Sequence, residues 1–344
     1  METVLNSLPP QTIHHISECS AVAAVRRAGN YLADMLGLDE TVAGKAALVI
    51  TEAATNILKH AGSGDILLRG LAEGDARGIE ILAIDKGPGF ANLEQAMRDG
   101  VSSAGSYGVG MGAMQRVADE FDLHADRTHG SALRMAVWAQ NESRPAQAWI
   151  MGSVCLPLPS EHECGDAWGH AWEDGQQLLM VADGLGHGPE AARASQAAVA
   201  LVQPGSTFAP APLLQLAHGA LRGTRGAAVA VACLDDRTHE LRFAGVGNIS
   251  VSLHDGDTSR HLVSHNGIVG SNVRRVQEFS MPLGDDAMLI MHSDGIGTRW
   301  DLARYPGLSL RHPSLIAAVL YRDHGRQRDD ASVVVAQRNR GAGR

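Results

Sequence analysis

Aromatic residues and cysteine are both scarce in this 344-residue sequence. Phe, Trp and Tyr make up only 4%, so the cores must be built from Ala, Val, Leu, Ile and Met. The total hydrophobic content of 44% is enough for ordinary buried cores. The four cysteines are scattered and form no CxxC pair, which argues against a disulfide framework and favours a reducing cytosol.

Long apolar runs and an excess of positive charge are also missing. No stretch approaches the ~20 apolar residues that span a bilayer, and the N-terminus lacks the basic and apolar regions of a signal peptide. We therefore expect a soluble, cytoplasmic protein with no membrane partner. Asp and Glu (38) outnumber Lys and Arg (29), and the net charge is -9. Nucleic acid is not an expected partner, because neutralising its phosphates needs clustered Lys and Arg.

The length of 344 residues favours two domains, since domains usually run to about 100–200 residues. The best candidate boundary is the polar stretch 140–145, which ends in proline and follows a strand-like segment. We expect one domain in residues 1–142 and a second in residues 146–344.

Hydrophobic periodicity predicts different architectures for the two parts. The first part combines helical spacing, strand-like stretches and a glycine-rich loop that leads into a helix. The second part consists mostly of short strands with helices between them. The predicted helices are 18–36, 41–60, 113–121, 189–202, 210–221 and 313–321; the predicted strands are 65–71, 78–85, 132–139, 148–157, 177–182, 227–235, 240–246, 287–292 and 331–337.

Three features of the first part suggest a nucleotide site. Glu52 and Asn56 are four residues apart and share one face of a predicted helix, where a carboxylate and a carboxamide suit a magnesium–phosphate site. Asp85 ends an apolar strand and is followed by a turn with two glycines. A run of glycines then precedes a helix, whose N-terminus is a ready anion site. Each feature alone also fits a solvated helix face, a tight turn or a flexible loop. Their order along the chain favours the nucleotide site.

With these features in this order, residues 10–139 resemble the GHKL (Bergerat) ATPase/kinase fold, and within it the anti-sigma serine kinases of the RsbT type. The resemblance implies an α/β sandwich that binds ATP and Mg²⁺. It implies that Glu52 is the catalytic carboxylate, that Asn56 is a magnesium ligand and that Asp85 reads adenine. The Ser131 hydroxyl would support the adenine pocket. Lys86 departs from the small or neutral residue usual after the aspartate. The glycines that would shape the nucleotide lid are Gly87, Gly89, Gly108, Gly110 and Gly112.

Four aspartate motifs of the second part suggest a metal centre. Three of them adjoin apolar, strand-like stretches, and an aspartate at the end of a buried strand is costly unless it is paired or bound to metal. Hard oxygen ligands select magnesium or manganese, and two such ions activate water against a phosphate ester. A single Asp-Gly pair fits an ordinary turn. A rival metal site would use His162, Cys164 and His170, or His187, although their spacing matches no zinc pattern. The motifs contain Asp166, Asp183, Asp294 and Asp329.

Residues 148–338 resemble the metal-dependent protein phosphatases (the PPM family), in particular the compact bacterial branch that contains SpoIIE, RsbU and RsbX. The most specific match is the stretch 182–188, Ala-Asp-Gly-Leu-Gly-His-Gly. The resemblance implies a β-sandwich flanked by helices and two Mn²⁺ or Mg²⁺ ions. It implies that the four aspartates are metal ligands together with the Gly184 carbonyl. Residues 245–248 resemble the central Gly-Asn turn of the family. Cys164 stands where an acidic residue is usual, and the last motif ends in serine instead of threonine.

Together, the two resemblances imply a bifunctional regulator. The first part would phosphorylate, and the second dephosphorylate, a Ser or Thr of a STAS-domain anti-sigma antagonist or stressosome protein. A sigma factor or another downstream regulator is a further expected partner, and relatives of the first part often form homodimers. An alternative is that the first part only sequesters a partner and keeps ATP as a structural ligand, next to an active phosphatase.

Overall fold

The computed structural model of the chain describes residues 8–89, 110–139, 147–256, 258–273 and 275–339. The chain forms two compact units. The N-terminal unit comprises Ser7–Pro145 together with Asp301–Asp323, and the C-terminal unit comprises mainly Ala146–Trp300 and His324–Arg344. The predicted boundary at 140–145 lies outside the described residues.

The N-terminal unit is built on one antiparallel sheet with the strand order β1-β2-β3-β5-β4. All nine residues of β5 are buried, as expected for an interior strand. The strands are β1 (Thr12–Ile16), β2 (Gly64–Glu73), β3 (Ala76–Asp85), β4 (Glu120–Asp126) and β5 (Gly130–Trp138). The helices are α1 (Cys19–Met35), α2 (Glu40–Asn56), which continues into one π-helical turn (Ile57–Ala61), and α3 (Gly110–Val117).

Helices α1, α2 and α3 pack on one face of this sheet. Helix α2 begins at an N-cap, where the Asp39 side chain accepts a hydrogen bond of 2.9 Å from the Val42 amide. The apolar side of α2 faces β2, β3 and β5. Successive side chains of a strand point to opposite faces of the sheet, so every second residue of these strands meets the helices. The shared core includes Val49, Ile50, Ile66, Leu68, Ile79, Ile81, Met135 and Val137.

The opposite face of the sheet carries a buried charge network and helix α6 (Pro313–His324). Glu80 alternates with the core residues Ile79 and Ile81 and therefore points away from α1 and α2. Its carboxylate accepts hydrogen bonds from Arg134 (2.7 Å), Arg69 (2.5 Å) and the Ser314 hydroxyl of α6 (2.7 Å). Residues 313–320 of α6 are all buried. The late segment Asp301–Asp323, hereafter the 301–323 segment, thus completes the N-terminal unit.

The C-terminal unit is a sandwich of two five-stranded antiparallel sheets, with orders β15-β10-β9-β8-β7 and β12-β11-β16-β17-β6. Its helices are α4 (Pro189–Val199) and α5 (Pro210–Ala220). A two-stranded sheet pairs β13 with β14. The strands are β6 (Trp149–Leu156), β7 (Asp166–Glu173), β8 (Gln176–Gly184), β9 (Ala227–Asp235), β10 (Glu240–Val246), β11 (Ser250–Asp255), β12 (Thr258–Leu262), β13 (Gly267–Ile268), β14 (Asn272–Val273), β15 (Phe279–Pro282), β16 (Met288–His292) and β17 (Ala331–Arg338).

Strand alternation gives the C-terminal unit two apolar cores. Between the sheets, one side of each strand meets its counterpart, with Phe243 and Trp149 among the largest buried side chains. The outer side of β8 and β9 packs against α4 and α5 through Leu178, Met180 and Leu213. These cores fix the ends of β7, β8 and β16, where the conspicuous aspartates lie.

The predicted α/β sandwich and β-sandwich are both confirmed, and most predicted elements are present. The predicted helix 113–121 is too long, because α3 ends at Val117 and Glu120 begins β4. The described parts of the chain contain no helix of the length and apolarity required to cross a membrane.

Candidate active sites

Helix α2 carries Glu52 and Asn56, which are both half-buried. The Ala-rich opposite side of this helix anchors it to the sheet, so these two side chains have a fixed frame. The helix changes to a π-helical turn directly after Asn56, and the amide of Gly62 donates to the carbonyl of Ile57 at 2.9 Å. Single π-helical turns frequently occur at functional sites. The α-helical spacing predicted through His60 missed this change.

Asp85 ends β3 with its carboxylate in a hydrogen-bonded turn. The Gly87 amide donates to Asp85 Oδ1 at 2.8 Å, and Asp85 lies opposite Ser131 in the β3–β5 register. Burial raises the pKa of Asp85, although hydrogen bonds from Gly87 and Ser131 and the charge of Arg322 oppose that rise. A carboxylate held at a strand end with a hydroxyl beside it can accept the hydrogen bond of an adenine amino group.

Glycines make this turn fit closely against its neighbours. A Cβ atom on Gly87 would lie 2.7 Å from the Cβ of Ala61, the last residue of the π-helical turn. Gly130 has φ +92°, and a side chain there would collide with the carbonyl oxygen of Asp85. The end of α2 and the Asp85 turn are therefore adjacent.

The predicted lid glycines lie partly within the described structure. Gly110 and Gly112 form the start of α3, which packs against α2. Gly89 has φ +61° and approaches the Asp126 carbonyl. Gly108 lies outside the described residues. The structure thus places the Asp85 turn beside Ser131 and the end of the α2 helix, and α3 packs against α2.

In the C-terminal unit, the four predicted aspartates come together. Asp166 begins β7 and lies opposite Asp183 near the end of β8. Asp294 follows β16, and Asp329 precedes β17, its neighbour in the sheet. The negative charges of Asp166, Asp294 and Asp329 all act on Asp183, so the four carboxylates share one neighbourhood.

Burial and mutual repulsion make this cluster reluctant to ionise by itself. Burial and the neighbouring aspartates raise the pKa of Asp183 to about 8. Burial raises the pKa of Asp166 to about 7, even though a hydrogen bond from Ser293 opposes the shift. Burial and the charge of Asp329 raise the pKa of Asp294. A cluster of this kind favours cations, which remove the repulsion.

Two buried carboxylate oxygens test whether the cluster fits a metal. Oδ2 of Asp166 and Oδ2 of Asp330 have no hydrogen-bond partner within the described part of the chain. A buried carboxylate oxygen without a partner is costly, and an all-oxygen donor set suits Mg²⁺ or Mn²⁺. The donor chemistry therefore fits. In the described ranges, however, no three His, Cys, Asp or Glu side chains are gathered closely enough to form a metal-binding group as they stand.

The glycines after two of these aspartates are explained by close packing. A side chain on Gly184 would collide with the Ala191 carbonyl at the start of α4, and one on Gly295 would collide with the Asp330 carbonyl. Each Asp-Gly pair therefore sits against a fixed neighbour, which sets the position of the aspartate before it.

Sequence reasoning overlooked two residues of this cluster. Asn248 follows β10 and donates from Nδ2 to Oδ2 of Asp294 at 2.8 Å, a role that the Gly-Asn turn alone did not reveal. Asp330 is buried, and its Oδ1 accepts a hydrogen bond of 2.8 Å from the Leu158 amide. The signal for Asp330 was its place beside Asp329, where only one of the two acidic residues was considered.

The rival metal site finds no support in the geometry. Nδ1 of His170 accepts a hydrogen bond from Gln177 at 3.0 Å, and Cys164 Sγ lies 3.8 Å from Cys155 Sγ. Hydrogen bonding to Cys155 and burial raise the pKa of the Cys164 thiol, which disfavours the thiolate that zinc requires. His187 pairs with Glu161 at 2.7 Å. His170 therefore links β7 to β8, and His187 pairs with a carboxylate of another loop.

Comparison with known families matches both parts of the chain. The histidine kinase-like ATPase domain family (HATPase_c_2) matches residues 17–137. The stage II sporulation protein E (SpoIIE) family matches residues 173–339.

Individual relatives agree with these assignments. The serine/threonine-protein kinase RsbT of Bacillus subtilis (strain 168) is 32% identical over 117 residues, which cover 34% of this chain and 88% of RsbT. The phosphoserine phosphatase RsbX of the same organism is 23% identical over 134 residues, covering 39% of this chain and 67% of RsbX. A solved structure from work on the bacterial stressosome, a modular system adapted to control secondary messenger signalling, is 31% identical with a TM-score of 0.52 and covers 55% of this chain and 100% of its own.

The extent of the RsbT match, together with the sheet, the α2 helix and the Asp85 turn described above, settles the family of the N-terminal part. The chain belongs to the RsbT-type family of histidine kinase-like ATPase domains, and the same polypeptide carries a C-terminal region that matches the SpoIIE family and is similar to RsbX.

Proposed function

We propose that this chain is a bifunctional protein kinase and phosphatase that adds a phosphoryl group to a serine or threonine of a STAS-domain protein and removes it again. The observation that carries the proposal is that one chain contains counterparts of RsbT, a serine/threonine kinase, and of RsbX, a phosphoserine phosphatase. The two reactions together would set the phosphorylation level of one regulatory protein.

In the kinase, Glu52 accepts the proton of the substrate hydroxyl, and Asn56 holds the magnesium of MgATP. Asp85 accepts a hydrogen bond from the adenine amino group, and the Ser131 hydroxyl orders the pocket around it. Phosphoryl transfer depends mainly on positioning and electrostatics, so a rigid helix and a short lid suffice. The fixed frame of α2 and the closely packed Asp85 turn support these roles. The lid is shaped by Gly87, Gly89, Gly108, Gly110 and Gly112.

In the phosphatase, Asp166, Asp183, Asp294 and Asp329 hold two Mg²⁺ or Mn²⁺ ions, with the Gly184 carbonyl as a further ligand. When bound, such ions activate water for in-line attack on a phosphate ester. Asn248 orients Asp294 through its 2.8 Å hydrogen bond. Asp330 accepts a hydrogen bond from the Leu158 amide and so holds the loop that precedes Asp166. The unpartnered oxygen of Asp166 supports this assignment.

The expected partners follow from the relatives. A STAS-domain anti-sigma antagonist or stressosome protein is the substrate of both halves, and a sigma factor or another regulator lies downstream. We place this reaction pair in a stress-signalling switch of the cytoplasm. A homodimer formed through the N-terminal unit is the expected oligomer.

A second candidate function is partner sequestration by the N-terminal unit. Its support is an exposed apolar surface on α1, where the side chains of Tyr31 (67% exposed) and Met35 (52% exposed) face solvent. In that case ATP would be a structural ligand. Glu52→Ala separates the two functions, because it removes phosphoryl transfer and leaves partner binding intact.

Two assays on the full chain test the proposal. In the first, the protein is incubated with ATP, Mg²⁺ and a purified STAS-domain protein, and phosphate gain is followed for wild type and Glu52→Ala. In the second, the phosphorylated STAS protein is incubated with Mn²⁺, and phosphate loss is followed for wild type and Asp183→Ala. We expect each variant to abolish its own reaction. Wild-type rates in both variants would refute the proposal.

A further inference from the structure

Arg322 reaches the strands of the proposed adenine pocket from the far end of the chain. It lies in α6, and its side chain is only 4% exposed. Its Nη1 atom donates to the carbonyl oxygen of Asp85 at 3.2 Å and to that of Ser131 at 3.1 Å. Asp85 and Ser131 lie opposite each other on β3 and β5, so one guanidinium bridges the two strands.

The guanidinium of Arg322 is itself held in place. Its Nε and Nη2 atoms donate to the two carboxylate oxygens of Asp323 at 2.9 and 2.8 Å. Tyr305 is hydrogen-bonded to Asp323, and its ring lies 4.7 Å from that of His129. This arrangement satisfies the planar donor fork of arginine on both sides, which a lysine ammonium cannot reproduce.

The rest of the 301–323 segment is anchored to the same sheet. The Ser314 hydroxyl donates to Glu80, and the His312 amide donates to Asp122 at 2.8 Å. Arg311 Nη1 lies 3.2 Å from Asp122 Oδ1. Arg322 therefore belongs to a docked segment that is attached to the sheet at two separate points, Glu80 and Asp122.

We propose that Arg322 is a positioning residue for the nucleotide site: it fixes the peptide groups of Asp85 and Ser131 and thereby aims their side chains at adenine. This inference rests on the proposed function, in which those two side chains read the base. It assigns a residue from the second half of the sequence to nucleotide recognition in the first, and it makes the 301–323 segment part of the ATP-binding apparatus.

The chemistry of the base supplies a test that general destabilisation would not imitate. Adenine presents an amino donor where guanine presents a carbonyl acceptor, so a well-aimed Asp85 carboxylate selects ATP over GTP. If Arg322 aims that carboxylate, its loss reduces selectivity as well as affinity. A purely structural role would weaken both nucleotides alike.

The experiment is calorimetric titration of the full chain with ATP and with GTP, each with Mg²⁺. Loss of a hydrogen bond to a charged donor predicts about tenfold weaker ATP binding in Arg322→Met, with a smaller ratio of ATP to GTP affinity. Arg322→Lys is expected to fall between that variant and wild type. The exposed Arg304 of the same segment provides the matched control, and Arg304→Met is expected to bind both nucleotides as wild type does.

Asp85→Asn separates the two possible failures. If Asp85→Asn keeps wild-type selectivity, the adenine assignment is wrong and the proposal for Arg322 falls with it. If Asp85→Asn loses selectivity while Arg322→Met and Arg322→Lys keep it, only the role of Arg322 is overturned. Should Arg322→Met fail to fold, Arg322→Lys decides, because it retains the positive charge beside Asp323.

Discussion

Single side chains separate the two proposed activities at the residue scale. The negative charges of the other aspartates in the cluster raise the pKa of Asp183. The Asp183→Asn substitution removes this proposed metal ligand. We expect phosphatase activity to fall by more than the roughly 10–100-fold that the loss of a supporting partner costs. Asp285→Asn is the control, since its side chain is 99% exposed. Equal activity of the two variants, measured as phosphate release, would rule out Asp183 as a ligand.

Asn248 provides a finer test of the same centre. Its side-chain amide donates a 2.8 Å hydrogen bond to Asp294, a proposed metal ligand, and is not itself among the proposed ligands. Asn248→Ala should therefore raise the Mn²⁺ concentration required for half-maximal activity by roughly 10–100-fold, while saturating Mn²⁺ restores most of the maximal rate. The exposed Asn272 gives a control, and Asn272→Ala should titrate like wild type. A lower maximal rate with unchanged Mn²⁺ dependence would contradict this role.

At the scale of single elements, the face of β3 that meets α6 depends on the Glu80 network. Burial would raise the pKa of Glu80, but the charges of Arg69 and Arg134 prevail and lower it from 4.5 to about 2. Glu80→Gln leaves both arginines without their shared counter-charge, and breaking a buried pair costs about 3–5 kcal/mol. We expect that loss in the free energy of unfolding of the N-terminal unit, measured by urea denaturation. A change as small as that of the exposed control Glu40→Gln would contradict the network.

The same face predicts a dependence of stability on pH. The pKa of Glu80 is depressed in the folded state, so the contribution of Glu80 to the free energy of unfolding is complete above about pH 4.5 and is lost as the pH falls toward 2.

Burial and the charge of Arg134 lower the pKa of His312 from 6.5 to about 3. As the pH falls, the His312 imidazole is therefore protonated in the unfolded chain before it is protonated in the folded one. Stability falls as the pH drops from 6.5 toward 3. The melting temperature of His312→Gln should decline less steeply with pH over that range than that of wild type. A decline as steep as that of wild type would exclude His312 as its source.

Local patterns predicted the elements that bury one complete face. The periodic apolar residues of α1 and α2 and the apolar runs of β9 and β10 revealed themselves because burial dictates their composition. The first two residues of strand β4 (Glu120–Asp126) were predicted as the end of a helix, and its remaining residues were assigned no element. Its partners on the sheet, and not its composition, make it a strand. The π-helical turn after Asn56 was equally invisible, since it changes one turn and leaves the apolar pattern intact.

The site residues divide in the same way. Asp183, Asp294 and Asp329 stood out because each adjoins an apolar strand, and Asp166 was added as the aspartate of a fourth motif. Asn248 and Arg322 did not stand out, because their partners lie 46 residues away at Asp294 and 191 residues away at Ser131. Contacts over such separations depend on the folded topology, which a single sequence does not display.

For the whole molecule, the main departure from a linear division is the 301–323 segment. It follows Asp294 and precedes Asp329 in the sequence, yet it packs in the N-terminal unit. A fragment of residues 1–145 would lack the buried helix α6 and would leave Glu80 without Ser314. We expect this fragment to melt at a markedly lower temperature than the full chain by circular dichroism. A fragment that melts with the full chain would show that the segment adds nothing to the unit.

The most direct test of the central claim, that one chain carries two opposed activities at separate sites, is a single time course. The full chain, a STAS-domain protein, Mg²⁺, Mn²⁺ and ATP labelled at the γ-phosphate are mixed, and label is followed in the STAS protein and in free phosphate. Wild type should show transient labelling of the STAS protein, Asp183→Asn should accumulate it, and Glu52→Ala should produce none. Release of free phosphate from the labelled STAS protein by Asp183→Asn at the wild-type rate, or labelling by Glu52→Ala, would contradict the account.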